Sequence, residues 1–302
     1  MAAEASKRTL VYLRKSSSND DPVAAHFTRS VLDYFGFPDN EGWLSAELKD
    51  NKLLISDGDC KARVKIRRPP FCPIRNLTER EITRLPDDIL NRGVDTGAAV
   101  ILQTGDNKIL LTRRASHLRT FPGIWVPPGG HIEENETIVE AGIRELREET
   151  GITLNQSDCV DSHLQVLALW ESTFPPKLSL GLPKRHHIVV YILAKLLPSI
   201  TSEELQKQIA LDPAEVGASA WLDRQMIEAI TSTSGGNQPY GKENKNKTVP
   251  EKMKAILITE DKEQILTDLP TAPLLETSSD AVDLERVSTG TKFVLEEWLK
   301  LT

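Results

Sequence analysis

Glu145, Glu148 and Glu149 lie within five consecutive positions, flanked by Arg144 and Arg147 and preceded by Glu136. On a helix at 100° per residue, Glu145 and Glu149 share one stripe and Glu148 lies about 60° further round. Carboxylates on adjoining rows repel one another unless cations neutralise them. An all-oxygen donor set suits a hard divalent ion, Mg²⁺ or Mn²⁺. Glu136 adds a fourth carboxylate at the helix start, where the dipole favours negative charge. Taken as charges alone, the same residues also describe an ordinary solvated acidic face, so the decision rests on their spacing and on what positions them.

The carrying element is a predicted helix over Thr137–Thr150, with Val139, Ile143 and Leu146 as its apolar stripe. Gly151 supplies a left-handed cap at its end. The Pro127-Pro128-Gly129-Gly130 turn leads into it. Before that turn, Gly97–Gln103 and Lys108–Arg113 are β-prone runs joined by the hairpin signal Thr104-Gly105-Asp106-Asn107. Strands are also expected at 10–13, 52–56, 61–68, 164–170, 188–197, 216–222 and 253–259. Further helices are expected at 22–35, 223–230 and 289–300. Pro69–Pro73 interrupts regular structure because three prolines remove backbone donors. Residues 231–252 carry almost no apolar side chains and read as a mobile loop. The pattern predicts an α+β chain with a mixed sheet. Its parts are an N-terminal, β-containing extension over 1–90, a central domain over 91–230, and a C-terminal extension over 253–302 packed on that domain.

The chain has 302 residues, 39% hydrophobic and 27% charged, which is the composition of an ordinary globular protein. A net charge of -7 argues against DNA, since non-specific duplex binding needs many Lys and Arg on phosphates. The apolar run from Ile188 to Ala194 is too short to cross a bilayer. The N-terminus lacks a secretory pattern and the C-terminus a peroxisomal one, which points to an intracellular, cytoplasmic protein. Cys60, Cys72 and Cys159 are irregularly spaced, with no CxxC pair, so neither a zinc module nor a disulfide framework is indicated.

The spacing itself is distinctive: Gly130, five residues, Glu136, seven residues, Arg144-Glu145-Leu146, one residue, Glu148-Glu149, one residue, Gly151-Ile152. Chance agreement at nine positions is about one in a million or rarer per chain at average residue frequencies. This stretch resembles the box of the Nudix hydrolases. That resemblance implies an α/β/α sandwich with a mixed sheet and hydrolysis of a nucleoside diphosphate linkage by water. It also implies metal binding by Glu145 and Glu149, assistance by Glu148 as ligand or base, and Arg144 holding the first glutamate. Glu215, ahead of Trp221-Leu222, stands where many members carry an additional loop acid.

Substrate choice is left to the surroundings. Strings such as Trp125–His131, Leu169–Ser172 and Arg286–Phe293 resemble the mRNA-decapping members of the family, which implies capped RNA as substrate and 7-methyl-GDP as product. Lys61, Arg63, Lys65 and Arg67 alternate with apolar residues, so a strand would put four cations on one face, able to follow RNA or simply to protect an edge. Trp170 and Trp125 are candidate stacking partners for a methylated guanine, or core residues. Lys184, with Arg185, His186 and His187, is a candidate phosphate contact. The rival is a coenzyme A diphosphatase: Leu110-Leu111-Thr112, Arg114, Ala115, Arg119, Gly123 and Pro128–Gly130 resemble that group's extra pattern, with a departure at Pro127. An NADH or ADP-ribose diphosphatase and a catalytically silent Nudix-fold binding module are further alternatives.

Overall fold

A computed structural model describes residues 8–17, 20–58, 63–233, 249–276 and 286–301. Its first elements are β1 (Leu10–Arg14), β2 (Val23–Ala24), α1 (Val31–Phe35), β3 (Glu41–Lys49), β4 (Lys52–Ser56) and β5 (Arg63–Arg67). Two single-turn helices, α2 (Glu79–Ile82) and α3 (Asp87–Leu90), precede β6 (Asp95–Gln103), β7 (Ile109–Arg114), β8 (Ile124–Val126) and β9 (Gly129–His131). Next come α4 (Ile138–Thr150), β10 (Cys159–Phe174), β11 (Arg185–Leu196), α5 (Ser202–Gln206), β12 (Val216–Leu222) and α6 (Arg224–Ser232). The chain closes with β13 (Lys252–Ile258), β14 (Gln264–Pro270), β15 (Arg286–Val287) and α7 (Thr289–Leu299).

Most expected strands and the central helix are in place. The helix expected over 22–35 is not: Val23–Ala24 pair with β1, and the helix is confined to Val31–Phe35. Ser30 is its N-cap, with an extended backbone that cannot continue a helix backwards. β3 is not among the expected strands: Glu41, Ser45, Glu47 and Lys49 alternate with Gly42, Leu44, Ala46 and Leu48, but Trp43 puts a large apolar residue on the polar face and blurs the period; pairing with β4 on one side and β5 on the other makes it a strand. Lys61, most of the expected 231–252 loop (234–248) and Cys60 lie outside the described residues. Cys72 and Cys159 are buried free thiols.

The chain divides into two compact units whose segments interleave along the sequence. The first comprises 1–99, 129–142 and 166–192. Its sheet is mixed: β5 pairs parallel with β10 and antiparallel with β3, β3 antiparallel with β4, and β4 parallel with β1. β9 adds antiparallel to the first half of β6. A Cβ on Gly129 would run into Ala98 O and Ala99 Cα, so this close approach admits only glycine. Phe27, Cys72, Ile74 and Leu85 form one core cluster of the unit.

A buried polar network ties α1 to this unit. Ser30 Oγ and Val31 N donate to the two oxygens of Glu171 at 2.8 and 2.7 Å. His186 Nε2 lies 3.0 Å from Glu171 Oε1, and its Nδ1 lies 2.8 Å from Phe27 O. Arg68, fully buried, donates to Ser30 Oγ and Asp33 Oδ1. Burial alone would raise the Glu171 carboxyl, but the His186 ring, the Val31 amide and the Ser30 hydroxyl outweigh it and hold it below the ordinary range. His186 is therefore committed to this network, which withdraws it from the candidate phosphate contacts around exposed Lys184.

The second unit comprises 100–128, 143–165 and 193–302. β12 lies between β7 and β13, β13 pairs with β14, and β7 also pairs with β8, all antiparallel. β15 joins β8 in parallel. The last helix, α7, is buried on nearly all sides through Phe293, Val294, Leu295 and Trp298. Trp298 Nε1 donates to Gln103 Oε1 at 2.9 Å, satisfying a polar atom that this burial would otherwise strand. Among the described residues no helix is long and apolar enough to cross a membrane.

Two substitutions test these cores. Leu146→Ala, at a fully buried position of α4, should destabilise the protein by about 2–5 kcal/mol in urea unfolding. Glu171→Ala, which strands a buried network, should cost about 3–5 kcal/mol at neutral pH. Because the Glu171 carboxyl is held low, its contribution is present above the ordinary carboxylate pKa and fades as pH falls through the depressed value. An unchanged unfolding midpoint in either variant contradicts the packing described.

Candidate active site

Helix α4 is opened by a reciprocal cap: Glu140 N donates to Thr137 Oγ1, and Thr137 N donates to the Glu140 carboxylate. Glu136 closes the preceding turn by accepting from Glu133 N at 3.0 Å. The helix ends where expected, at Gly151 with φ +73, and a Cβ there would press on Ala210 at 3.0 Å. Gly130 lies in β9, opposite Ala98, and Ile152 is fully buried behind the cap.

The buried face of α4 differs from the apolar stripe drawn from sequence. Val139 and Ile143 are only half-buried, while Ile138, Ala141 and Leu146 face inward. Glu145 and Glu149 are 9% and 4% exposed, so the two carboxylates sit near the middle of the buried face rather than beside it. Centring a helix's inward face on like charges is unfavourable unless something compensates them.

Glu215 reaches this face through a chain of backbone bonds. The last carbonyls of α4, Glu149 O and Thr150 O, accept from Asp212 N and Ala210 N at 3.2 and 2.8 Å. Asp212 O in turn accepts from Glu215 N and Val216 N. From the other side, Ala115 N donates to Glu215 O at 2.8 Å as β12 begins to pair with β7. A register shift between Val216 and Ala218 sits beside this point. The outcome is that one carboxylate oxygen each from Glu145, Glu149 and Glu215 lies within 4.8 Å of the others.

Two cations stand near these three acids. Arg144 Nη1 donates to Glu145 Oε1 at 2.9 Å and to Glu148 Oε2 at 3.1 Å. Arg114, half-buried, feels the charges of Glu149 and Glu215, which partly offset the depression that burial imposes on its guanidinium. Thr112 Oγ1 lies 3.3 Å from Glu149 Oε2. Burial chiefly, with the charges of Glu215 and Glu148, raises the Glu145 carboxyl despite Arg144. The site thus carries more carboxylates than neighbouring guanidinia, with oxygen donors converging on one point, and this fits a hard divalent ion. Glu148 stands outside the convergent group, half-exposed and held through Arg144.

The substrate-side candidates are not brought together in this way. Trp170 is 6% exposed and Trp125 fully buried, so neither offers an open ring face to a base; both are core residues. The Trp125 ring lies instead against Arg113, 5.9 Å from its guanidinium carbon. Arg119 and Lys184 are exposed on loops. Arg114 is the neighbour of the acids that sequence reasoning counted only within a rival pattern; its place opposite Val216 follows from strand register, which no spacing rule reports.

The NUDIX domain profile matches residues 94–240, and full-length relatives place the chain in the Nudix hydrolase family, with that family's α+β fold. It is 43% identical to the m7GpppN-mRNA hydrolase NUDT17 of Danio rerio, over 97% of this chain and 96% of that protein. It is 40% identical to the proteins of the same name from Xenopus laevis and Homo sapiens. These alignments cover 98% and 92% of this chain, and 96% and 85% of the respective relatives.

If the acids hold a divalent ion, Mg²⁺ or Mn²⁺ should raise the melting temperature of the wild type in proportion to the logarithm of its concentration. Glu149→Gln should lose most of that rise while leaving the metal-free melting temperature equal or slightly higher, because it removes one of three mutually repelling charges. A full metal-dependent rise in the variant refutes the assignment.

Proposed function

We propose that this protein is a divalent-metal-dependent hydrolase that cleaves 7-methylguanosine-capped mRNA, releasing 7-methyl-GDP and leaving a 5′-monophosphate on the RNA. The observation that carries the metal dependence is the convergence of Glu145, Glu149 and Glu215. The capped substrate is supported by the printed names of the relatives, which match nearly the whole chain.

Glu145, Glu149 and Glu215 would hold Mg²⁺ or Mn²⁺. A bound ion of this kind polarises phosphoryl oxygens, lowers the pKa of water and orients the leaving phosphate. Arg144 positions Glu145 by a direct hydrogen bond and keeps Glu148 within reach of the same guanidinium. Glu148, half-exposed beside the group and paired with Arg144, would accept a proton from an attacking water or serve as a further ligand. Thr112 steadies Glu149 from the neighbouring strand. The water oxygen bonds to the phosphorus nearest the RNA, the bridging P–O bond breaks, and the diphosphate leaves with the methylated nucleoside.

The experiment is a parallel assay of capped RNA, coenzyme A, NADH and ADP-ribose with products resolved, in Mg²⁺ and in Mn²⁺. Capped RNA should yield 7-methyl-GDP as the dominant reaction, and Glu145→Gln or Glu149→Gln should each lower turnover by about a hundred-fold or more. Much faster cleavage of coenzyme A, lost selectively in Arg119→Ala, overturns the capped-RNA assignment in favour of the diphosphatase reading. Near-normal turnover in both glutamate variants overturns the metal role.

A further inference from the structure

The basic strand noted in the sequence lies in the first unit, away from any edge. β5 has β3 on one side, through Arg63–Arg67 opposite Glu41–Ser45, and β10 on the other, through Lys65–Arg67 beside Ala168–Trp170. Edge protection therefore does not account for its charges, since an interior strand has no open backbone to guard.

The residue directly opposite Lys65 is Trp43, and it is 54% exposed. Its neighbours in β3, Gly42 and Leu44, are buried, so Trp43 projects from the other side of the sheet, where Ser45 is covered and the Lys65 and Arg67 side chains keep 13% and 26% of their surface exposed. On an antiparallel pair, directly opposed residues share a face, and diagonal neighbours lie about 7–8 Å off. Arg63 and Arg67 are the diagonal neighbours of Trp43, which places an open indole among three cations. Glu41 anchors two of them, lying 2.8 Å from Lys65 Nζ and 2.9 Å from Arg67 Nη2, and this pairing holds its carboxyl low against the effect of burial. Arg63 donates to the carbonyls of Asp57 and Gly58.

The same face continues across β4 to β1. Glu47 opposes Leu54, and Leu54 is beside Tyr12. Lys52 Nζ sits 4.6 Å from the Tyr12 ring. A second aromatic–cation pair thus stands two strands from Trp43, and among these charged side chains basic ones outnumber the acidic Glu41 and Glu47. In a chain of net charge -7, a cationic face with an open tryptophan is a local departure from the overall charge.

We propose that this face binds single-stranded RNA, with a base stacked on Trp43 and the phosphates running along Arg63, Lys65 and Arg67. Alternating aromatic rings and cations are the chemistry of sequence-tolerant single-strand binding: rings take base faces and cations track the backbone. The proposal rests on the capped-RNA reading for its biological sense, since a cap hydrolase must also hold the body of its RNA. Its test does not depend on cleavage.

The test is fluorescence anisotropy of the full chain with an uncapped, labelled oligouridine, beside hydrolysis of the free cap dinucleotide. Trp43→Ala should weaken oligouridine binding about five-fold to a hundred-fold, and Trp43→Phe should retain most of it. Replacing Arg63, Lys65 and Arg67 together with Gln should flatten the logarithmic salt dependence of binding by about two. Dinucleotide hydrolysis should be unchanged in all of them. Oligouridine binding that is absent in the wild type, or indifferent to both sets of variants, overturns the RNA face even where the dinucleotide is cleaved. A heparin competitor that binds equally well to wild type and Trp43→Ala, with oligouridine behaving the same way, marks a mere polyanion or protein surface and also overturns it. Dinucleotide left uncleaved by every form overturns the hydrolase reading alone.

Discussion

Three carboxylates within 4.8 Å of one another are the constraint around which the second unit is arranged. Like charges at such separations, two of them almost out of water, are held together only because stronger local bonds leave them no alternative. Those bonds belong to the backbone. The last carbonyls of α4 accept from Ala210 and Asp212, and Asp212 accepts from the amide of Glu215, so the loop acid is tied to the helix that bears the other two. Their mutual repulsion is carried by the folded state, and a bound cation would relieve it.

The neighbouring positive charges moderate this arrangement without cancelling it. Arg144 pairs with both Glu145 and Glu148 from one nitrogen, linking a nearly buried carboxylate to a half-exposed one. Arg114 faces Glu149 and Glu215 from the end of β7. The carboxylates still outnumber these two guanidinia, so the site keeps a negative excess. Gly151 serves the same geometry: without a side chain it takes the left-handed turn at no steric cost, where a Cβ would press on Ala210.

The first unit solves a different problem by similar means. Its charged network of Arg68, Ser30, Glu171 and His186 is buried, and each main member is bound to a partner of suitable sign or hydrogen-bonding character. There the polar groups specify how a short helix seats on a sheet. The opposite face of that sheet leaves Trp43 half in water beside Lys65.

The sequence by itself determined the family, the central helix and its C-cap, because Glu and Gly at set intervals along one helix have a meaning that local geometry preserves. It also marked Arg144 and Glu145 as neighbours, since adjacent positions cannot part. Long-range pairing was beyond it. That Glu145 and Glu149 occupy the middle of the buried face, that Glu215 joins them while Glu148 stands aside, and that Arg114 looks at them all depend on which strands lie side by side and in what register. Trp170 and Trp125 illustrate the same limit in reverse: an indole reads alike in a core and in a binding cleft, and only burial separates the two. The basic strand, equally ambiguous in one dimension, became an interior strand beside an open tryptophan once β3 and β10 closed on either side of it, because neighbours in a sheet are chosen by the whole chain and not by the residues of the strand.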